Sequence, residues 1–201
     1  MAEFTIKTYD PKIHNIYLKG DVDEDMWSNL VDKINEIKAA DKEIDETNIG
    51  TLSLFGIDCQ AIHPSINIYL QTWGGYIYDM LSIYDEIHRL QNDYVVNIYC
   101  VGKVMSAGTI IMLAVDLEHR FAYANTTFMY HSLSGGAWGK VKELEENIDE
   151  SKRLHKLMWN IYKENTKIPP EKLDEIYKCK KDWYINSQQA KKYKIISEIV
   201  T

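Results

Sequence analysis

Along Ser65-Ile66-Asn67-Ile68-Tyr69-Leu70-Gln71 apolar and polar residues alternate, with β-branched and aromatic members, and this period of two predicts a strand. The pattern breaks at Thr72-Trp73-Gly74-Gly75. From Tyr76 to Leu90 the period changes, and Ile77, Met80, Leu81, Tyr84, Ile87 and Leu90 form a helical stripe. A second β-like run follows at 93–101, and Ile110 to Val115 is apolar enough for a buried helix entered at Ser106. Strand, helix, strand, helix with short connections predicts βαβ crossovers and a largely parallel sheet.

The flanking segments are less regular. Residues 1–13 are mixed polar and read as a short arm. Ile16-Tyr17-Leu18 predicts a short strand, and Trp27, Leu30, Val31, Ile34 and Ile37 predict an amphipathic helix over about 25–39. Residues 40–60 start acidic and end β-prone (Leu52-Ser53-Leu54-Phe55), consistent with either a surface excursion or an added hairpin. Downstream, Arg120 to Tyr123 and Thr126 to Tyr130 predict two short strands, and Ser132 to Gly139 is too glycine-rich for helix. A long helix is expected from Lys140 to about Asn165, carrying Leu144, Ile148, Leu154, Leu157, Met158 and Ile161 opposite a charged face. A short helix from Pro169-Pro170 to near Tyr177, an extended piece at 182–185, a helix from Ser187 and the segment 195–200 complete the chain.

Composition narrows the function classes. The 201 residues fit one domain, with an apolar fraction of 45% and a charged fraction of 26%. A net charge of -7 argues against a nucleic-acid binder, which normally carries a basic face. Cys59, Cys100 and Cys179 are odd in number and lack metal-like spacing, so reduced thiols in the cytoplasm are expected. The N-terminal residues have neither a basic nor an apolar region, so no secretory signal is expected, and no apolar run is long enough to span a membrane.

The candidate chemistry centres on Gly102-Lys103-Val104-Met105-Ser106-Ala107-Gly108-Thr109. A serine between small residues at a strand-to-helix turn can hold its hydroxyl exposed, beside the free amides of the helix's first turn. The same serine also suits a plain N-cap, and the octapeptide alone favours the cap. Gly74-Gly75 offers bare backbone at a second strand-to-helix turn, although a simple tight turn explains it as well. His131 ends a strand and Asp182 sits among Lys178, Lys180 and Lys181; singly, each reads as an ordinary surface residue.

Together these segments resemble the Clp protease proteolytic subunit family, ClpP. The octapeptide is similar to its Gly-x-Ala-Ala-Ser-x-Gly nucleophile turn. Ile68 to Gly75, with Ser82-Ile83-Tyr84-Asp85, resembles its Ile-Asn-Ser-Pro-Gly-Gly and Ser-Ile-Tyr-Asp. Phe128-Met129-Tyr130-His131 with Gly135, Gly136 and Gly139 resembles its Met-Ile-His and glycine-rich segment. Lys181-Asp182-Trp183-Tyr184 with Ala190 and Tyr193 resembles its final motif. The four fall in the family's order over roughly residues 15–200.

The resemblance implies a single domain over 1–201 with the ClpP/crotonase-like α/β fold: stacked ββα units, a largely parallel sheet and a protruding handle over about 130–165. It implies a serine endopeptidase with Ser106 as nucleophile, His131 as base and later acid, Asp182 orienting His131, and the amides of Gly75 and Ala107 as oxyanion donors. It implies unfolded polypeptide substrates, a homo-oligomeric chamber (heptamer or tetradecamer), no cofactor bound by this chain, and an AAA+ unfoldase partner as the user of ATP. A phage-type relative processing capsid proteins and a crotonase-type acyl-CoA enzyme are the alternatives. Trp73, Val104 and Met105 replace smaller family residues, which predicts larger side chains near the substrate groove. Lys181 stands where the family usually has a ring-joining arginine.

Overall fold

The computed structural model describes residues 13–53, 64–136, 138–179 and 181–201. The N-terminal arm expected at 1–13 therefore lies, apart from Ile13, outside the described residues. Strand β1 (Ile13–Val22) and helix α1 (Glu24–Ser53) are followed by β2 (Ser65–Gly75), α2 (Ile77–Leu90) and β3 (Val95–Met105). A short helix α3 (Ala107–Ile111) continues as one 3-10 turn, and β4 (Arg120–Tyr123) and β5 (Thr127–Tyr130) come next. The long α4 (Val141–Asn165) leads to α5 (Pro170–Cys179), β6 (Trp183–Asn186), α6 (Ser187–Lys192) and β7 (Glu198–Val200).

The expected largely parallel sheet is present, in the order β1-β2-β3-β4-β7. Its departure from regularity builds the site. β3 pairs β4 through Ile98–Cys100, then pairs β5 through Lys103–Met105. Between these stretches Gly102 adopts φ 64, a left-handed conformation that glycine takes without steric cost. β6 returns antiparallel against β5, with Tyr130 opposite Trp183.

One face of the sheet is packed by helices. Ile66, Ile68 and Leu70 of β2 and Val96, Ile98 and Cys100 of β3 are buried against Met80, Ile83, Ile87 and Leu90 of α2 and the α3 segment. The other face carries an aromatic row, Tyr17, Tyr69, Tyr99 and Phe121, one ring per strand from β1 to β4, stacked at 5.0–5.2 Å. The strand period of two sorts these sets onto opposite faces.

Two helices differ from expectation. α1 starts where Asp23 accepts a hydrogen bond from Met26 N, and its buried stripe is Met26, Leu30, Ile34 and Ile37, with Trp27 partly exposed. It continues to Ser53, so 40–53 are helical, correcting the irregular reading; the rest of that stretch up to Gln60 lies outside the described residues. In α4 only the second half is buried, through Leu154, Met158, Ile161 and Tyr162. Its first three turns stand clear of the core, with Val141 and Ile148 exposed, so the apolar stripe expected along the whole helix is buried only in its second half.

Candidate active site

The parallel sheet brings the C-terminal ends of β2, β3 and β5 together, and Ser106 sits directly past the end of β3. Its backbone takes φ 51 and ψ -121, a strained region for a residue with a Cβ. The plain capping role does not hold: the Ser106 side chain caps nothing in α3. Instead His131 Nε2 lies 2.6 Å from Ser106 Oγ. The turn is held by Ser106 N donating to Met129 O at 2.9 Å, and by Ser106 O accepting from Thr109 N at 2.9 Å and Thr109 Oγ1 at 2.6 Å.

Small residues allow this approach. A Cβ on Gly74 would lie 2.6 Å from Ser106 Cβ, and Gly74 holds φ 107. A Cβ on Gly108 would meet Thr72 Cγ2 at 2.4 Å, so that glycine lets α3 press onto β2. Thr72 is buried and its hydroxyl accepts from Gly74 N at 2.9 Å, fixing the bend before the glycine pair. Tyr76 N donates to Val22 O at 2.8 Å. Amides alternate along an extended chain, so Gly75 N–H turns away from β1, toward the side where β2–β3 pairing has ended at Thr72–Val104. Ala107 is the first residue of α3, where backbone N–H groups lack intrahelical acceptors.

Asp182 stands differently. The antiparallel pairing of β5 and β6 ends at Tyr130–Trp183, so His131 directly follows and Asp182 directly precedes that last pair. Among the described residues, however, no hydrogen bond or ion pair joins them. Asp182 is exposed and lines a cavity of about 90 Å³ with Lys172, Glu175, Ile176, Lys181 and Trp183. Of the expected side chains, the structure thus brings Ser106 and His131 into contact and shows no contact of Asp182 with either.

The substituted residues near the turn divide. Val104 and Met105 are both buried, so they add little exposed surface beside Ser106. Trp73 is 60% exposed, and Lys103 Nζ lies over its ring at 3.8 Å. Behind the site is a group that sequence reasoning missed: Tyr130 and Tyr162 meet edge-on at 5.3 Å, and Tyr130 packs against Trp183 at 5.4 Å. Burial pushes the phenol pKa values of Tyr130 and Tyr162 up, keeping both protonated. No group of three His, Cys, Asp or Glu among the described residues is placed to hold a metal ion.

The Clp protease family model matches residues 19–201. The chain is 31% identical over 153 residues to the ATP-dependent Clp protease proteolytic subunit of Dehalococcoides mccartyi, covering 76% of this chain and 74% of that protein. It is 30% identical over 185 residues to the ATP-dependent Clp protease proteolytic subunit 2 of Chlamydia pneumoniae, covering 91% and 88%. Against the Deinococcus radiodurans proteolytic subunit the identity is 28% over 182 residues, covering 90% and 87%. A mutant form of ClpP1 from Listeria monocytogenes has the same fold, with a TM-score of 0.73 at 21% identity over 93% of this chain and 91% of that one. By its sequence from residue 19 onward and by its fold, the chain belongs to the Clp protease family and is a serine peptidase of that family.

Proposed function

We propose that Ser106 is the nucleophile of this peptidase and His131 its general base. The 2.6 Å contact between His131 Nε2 and Ser106 Oγ carries this reading. A serine hydroxyl is a weak nucleophile until an adjacent imidazole takes its proton. Ser106 Oγ attacks the scissile carbonyl as His131 receives the proton, and the carbonyl oxygen becomes an anion. The amides of Gly75 and Ala107 are the donors suited to that anion. His131 then returns the proton to the leaving amine, and water repeats the sequence on the acyl-enzyme. Asp182 is the carboxylate that orients His131, a reading supported by the pair Tyr130–Trp183, which His131 follows and Asp182 precedes. The acyl-CoA alternative has no use for a serine–histidine contact and finds no support in the relatives.

The substrates in this reading are unfolded polypeptides, and the chain works as a homo-oligomeric chamber, a heptamer or a pair of heptamers. Exposed apolar residues on the protruding α4 (Val141, Ile148, Leu157) and Trp138 before it support burial against further copies. An aromatic residue of the same helix, Tyr162, is instead buried in its own chain, and Trp159 is partly buried against the same core. The relatives' names support an ATP-dependent unfoldase as partner, with ATP used by that partner alone. A cytoplasmic setting accords with the free, buried Cys100; among the described residues no helix is long and apolar enough to cross a membrane.

The test is cleavage of a fluorogenic peptide by Ser106→Ala, His131→Ala and the double variant. Each single change should abolish most activity and the second should add little, because such groups act as a unit. Wild-type cleavage by Ser106→Ala overturns the nucleophile assignment. Light scattering tests assembly: a monomer at micromolar concentration in low and high salt contradicts the chamber.

A further inference from the structure

Ser106 holds an unfavourable backbone conformation, and such a residue persists only where its surroundings over-determine it. Two of its three backbone contacts come from Thr109, three residues on in α3. A helical threonine bonding back to a carbonyl is common and by itself says nothing about the site. Here the threonine hydroxyl has a second partner from a distant element: Tyr162 Oη of α4 lies 2.7 Å from Thr109 Oγ1, in a buried contact.

The protons fix the direction of this pair. Thr109 Oγ1 has one proton and donates it to Ser106 O at 2.6 Å. The hydrogen between the two hydroxyls therefore comes from Tyr162, which donates to Thr109. The chain of donation runs from Tyr162 to Thr109 to the Ser106 carbonyl. The Tyr162 ring also meets Tyr130, the residue before His131, and Tyr130 meets Trp183, the residue after Asp182.

We propose that Tyr162 is a positioning residue for catalysis: through Thr109 its hydroxyl holds the Ser106 turn, while its ring packs on Tyr130, the residue before His131. The proposal rests on the reading of Ser106 as nucleophile. Tyr162 touches neither substrate nor reacting atoms. Its role is to keep Ser106 Oγ within reach of His131, and removal of its hydroxyl frees the Thr109 side chain to turn and the Ser106 backbone to relax. Displacements on the scale of 1 Å at a reacting group cost about 100-fold in rate, so a single lost bond at this distance should cost between about tenfold and 100-fold.

The experiment compares Tyr162→Phe, Thr109→Val, their double variant and Thr109→Ser in the full chain. It measures kcat and KM on a fluorogenic peptide, hydrogen exchange of the 106–110 amides, and thermal midpoint. Tyr162→Phe and Thr109→Val should each lower kcat by about tenfold or more with KM shifted less than about twofold, and the double variant should match the worse single. Thr109→Ser, which keeps the hydroxyl, should retain wild-type kcat. Exchange at 106–110 should quicken in the hydroxyl-less variants while that of 66–70 in β2 stays unchanged. Wild-type kcat and exchange in Tyr162→Phe overturn the proposal, as does a double variant whose losses multiply. If the wild-type protein cleaves no peptide, the nucleophile reading fails by itself, and unchanged exchange at 106–110 in Tyr162→Phe is then the result that overturns the structural tie.

Discussion

Gly74→Ala isolates the contact between the glycine turn and the nucleophile. Gly74 has φ 107, and an added Cβ would lie 2.6 Å from Ser106 Cβ and 3.1 Å from Ser106 Oγ. Two costs follow. Holding alanine in this conformation costs about 1–3 kcal/mol, and crowding a packed site adds about 1–3 kcal/mol. Their sum is less than the upper range of domain stability, about 5–15 kcal/mol, so the fold should survive weakened. The local clash is relieved most simply by moving Ser106. Ordinary carbon–carbon contact is about 3.5 Å, so relief from 2.6 Å requires about 1 Å of movement. A shift of that size at a reacting atom predicts a loss of about 100-fold in kcat. Gly20→Ala supplies the control, because Gly20 has φ 109 but nothing within 4 Å of its would-be Cβ. It should carry the backbone strain and lower the melting temperature without slowing peptide cleavage. Fluorogenic peptide kinetics and thermal melts on both variants decide it. Equal kcat in Gly74→Ala and Gly20→Ala would refute the claim that Gly74 is there to make room for Ser106.

Asp182→Asn should lower kcat by at least about tenfold and at most about 10⁴-fold, the scale of neutralising a triad carboxylate; an unchanged rate removes Asp182 from the mechanism. Burial lowers the His155 pKa where its ring stacks on Tyr177 at 3.9 Å, against a weaker opposing effect of Asp174. The unfolded chain then binds the proton more readily, so His155 erodes stability as pH falls below its unfolded pKa of about 6.5. His155→Phe keeps an aromatic ring and should show a shallower fall in melting temperature from about pH 7 to pH 5; equal slopes would contradict this. Cys100 is fully buried and its thiol pKa is pushed up by desolvation, so iodoacetamide should alkylate it only in denaturant. Alkylation of Cys100 in the folded protein at the unfolded rate would contradict its packing.

The parts of the fold legible in sequence are those where one face of an element is buried. β2, α2 and β3 show clean periods because the sheet buries alternate residues and α2 buries Met80, Ile83, Ile87 and Leu90 against it. In α1 the expected Leu30, Ile34 and Ile37 are buried, and the first position differs: Trp27 looks like core, yet Met26 takes the inward place once Asp23 starts the helix. The helix beyond residue 40 was hidden because its acidic start shows no apolar stripe. The site was legible through motif resemblance and not through spacing: Ser106 and His131 lie 25 residues apart, and only the switch of β3 from β4 to β5 brings them together. Tyr162 was beyond reach, since nothing local to α4 marks a partner for Thr109 at a separation of 53 residues.

The most direct measurement is mass-spectrometric mapping of the intact protein after reaction with a fluorophosphonate, which labels a serine only where a neighbouring base activates it. The contact of His131 with Ser106 Oγ predicts one stoichiometric adduct, on Ser106, that is lost in His131→Ala although the serine remains. An unlabelled Ser106, or equal labelling of Ser106 in His131→Ala, would contradict the account.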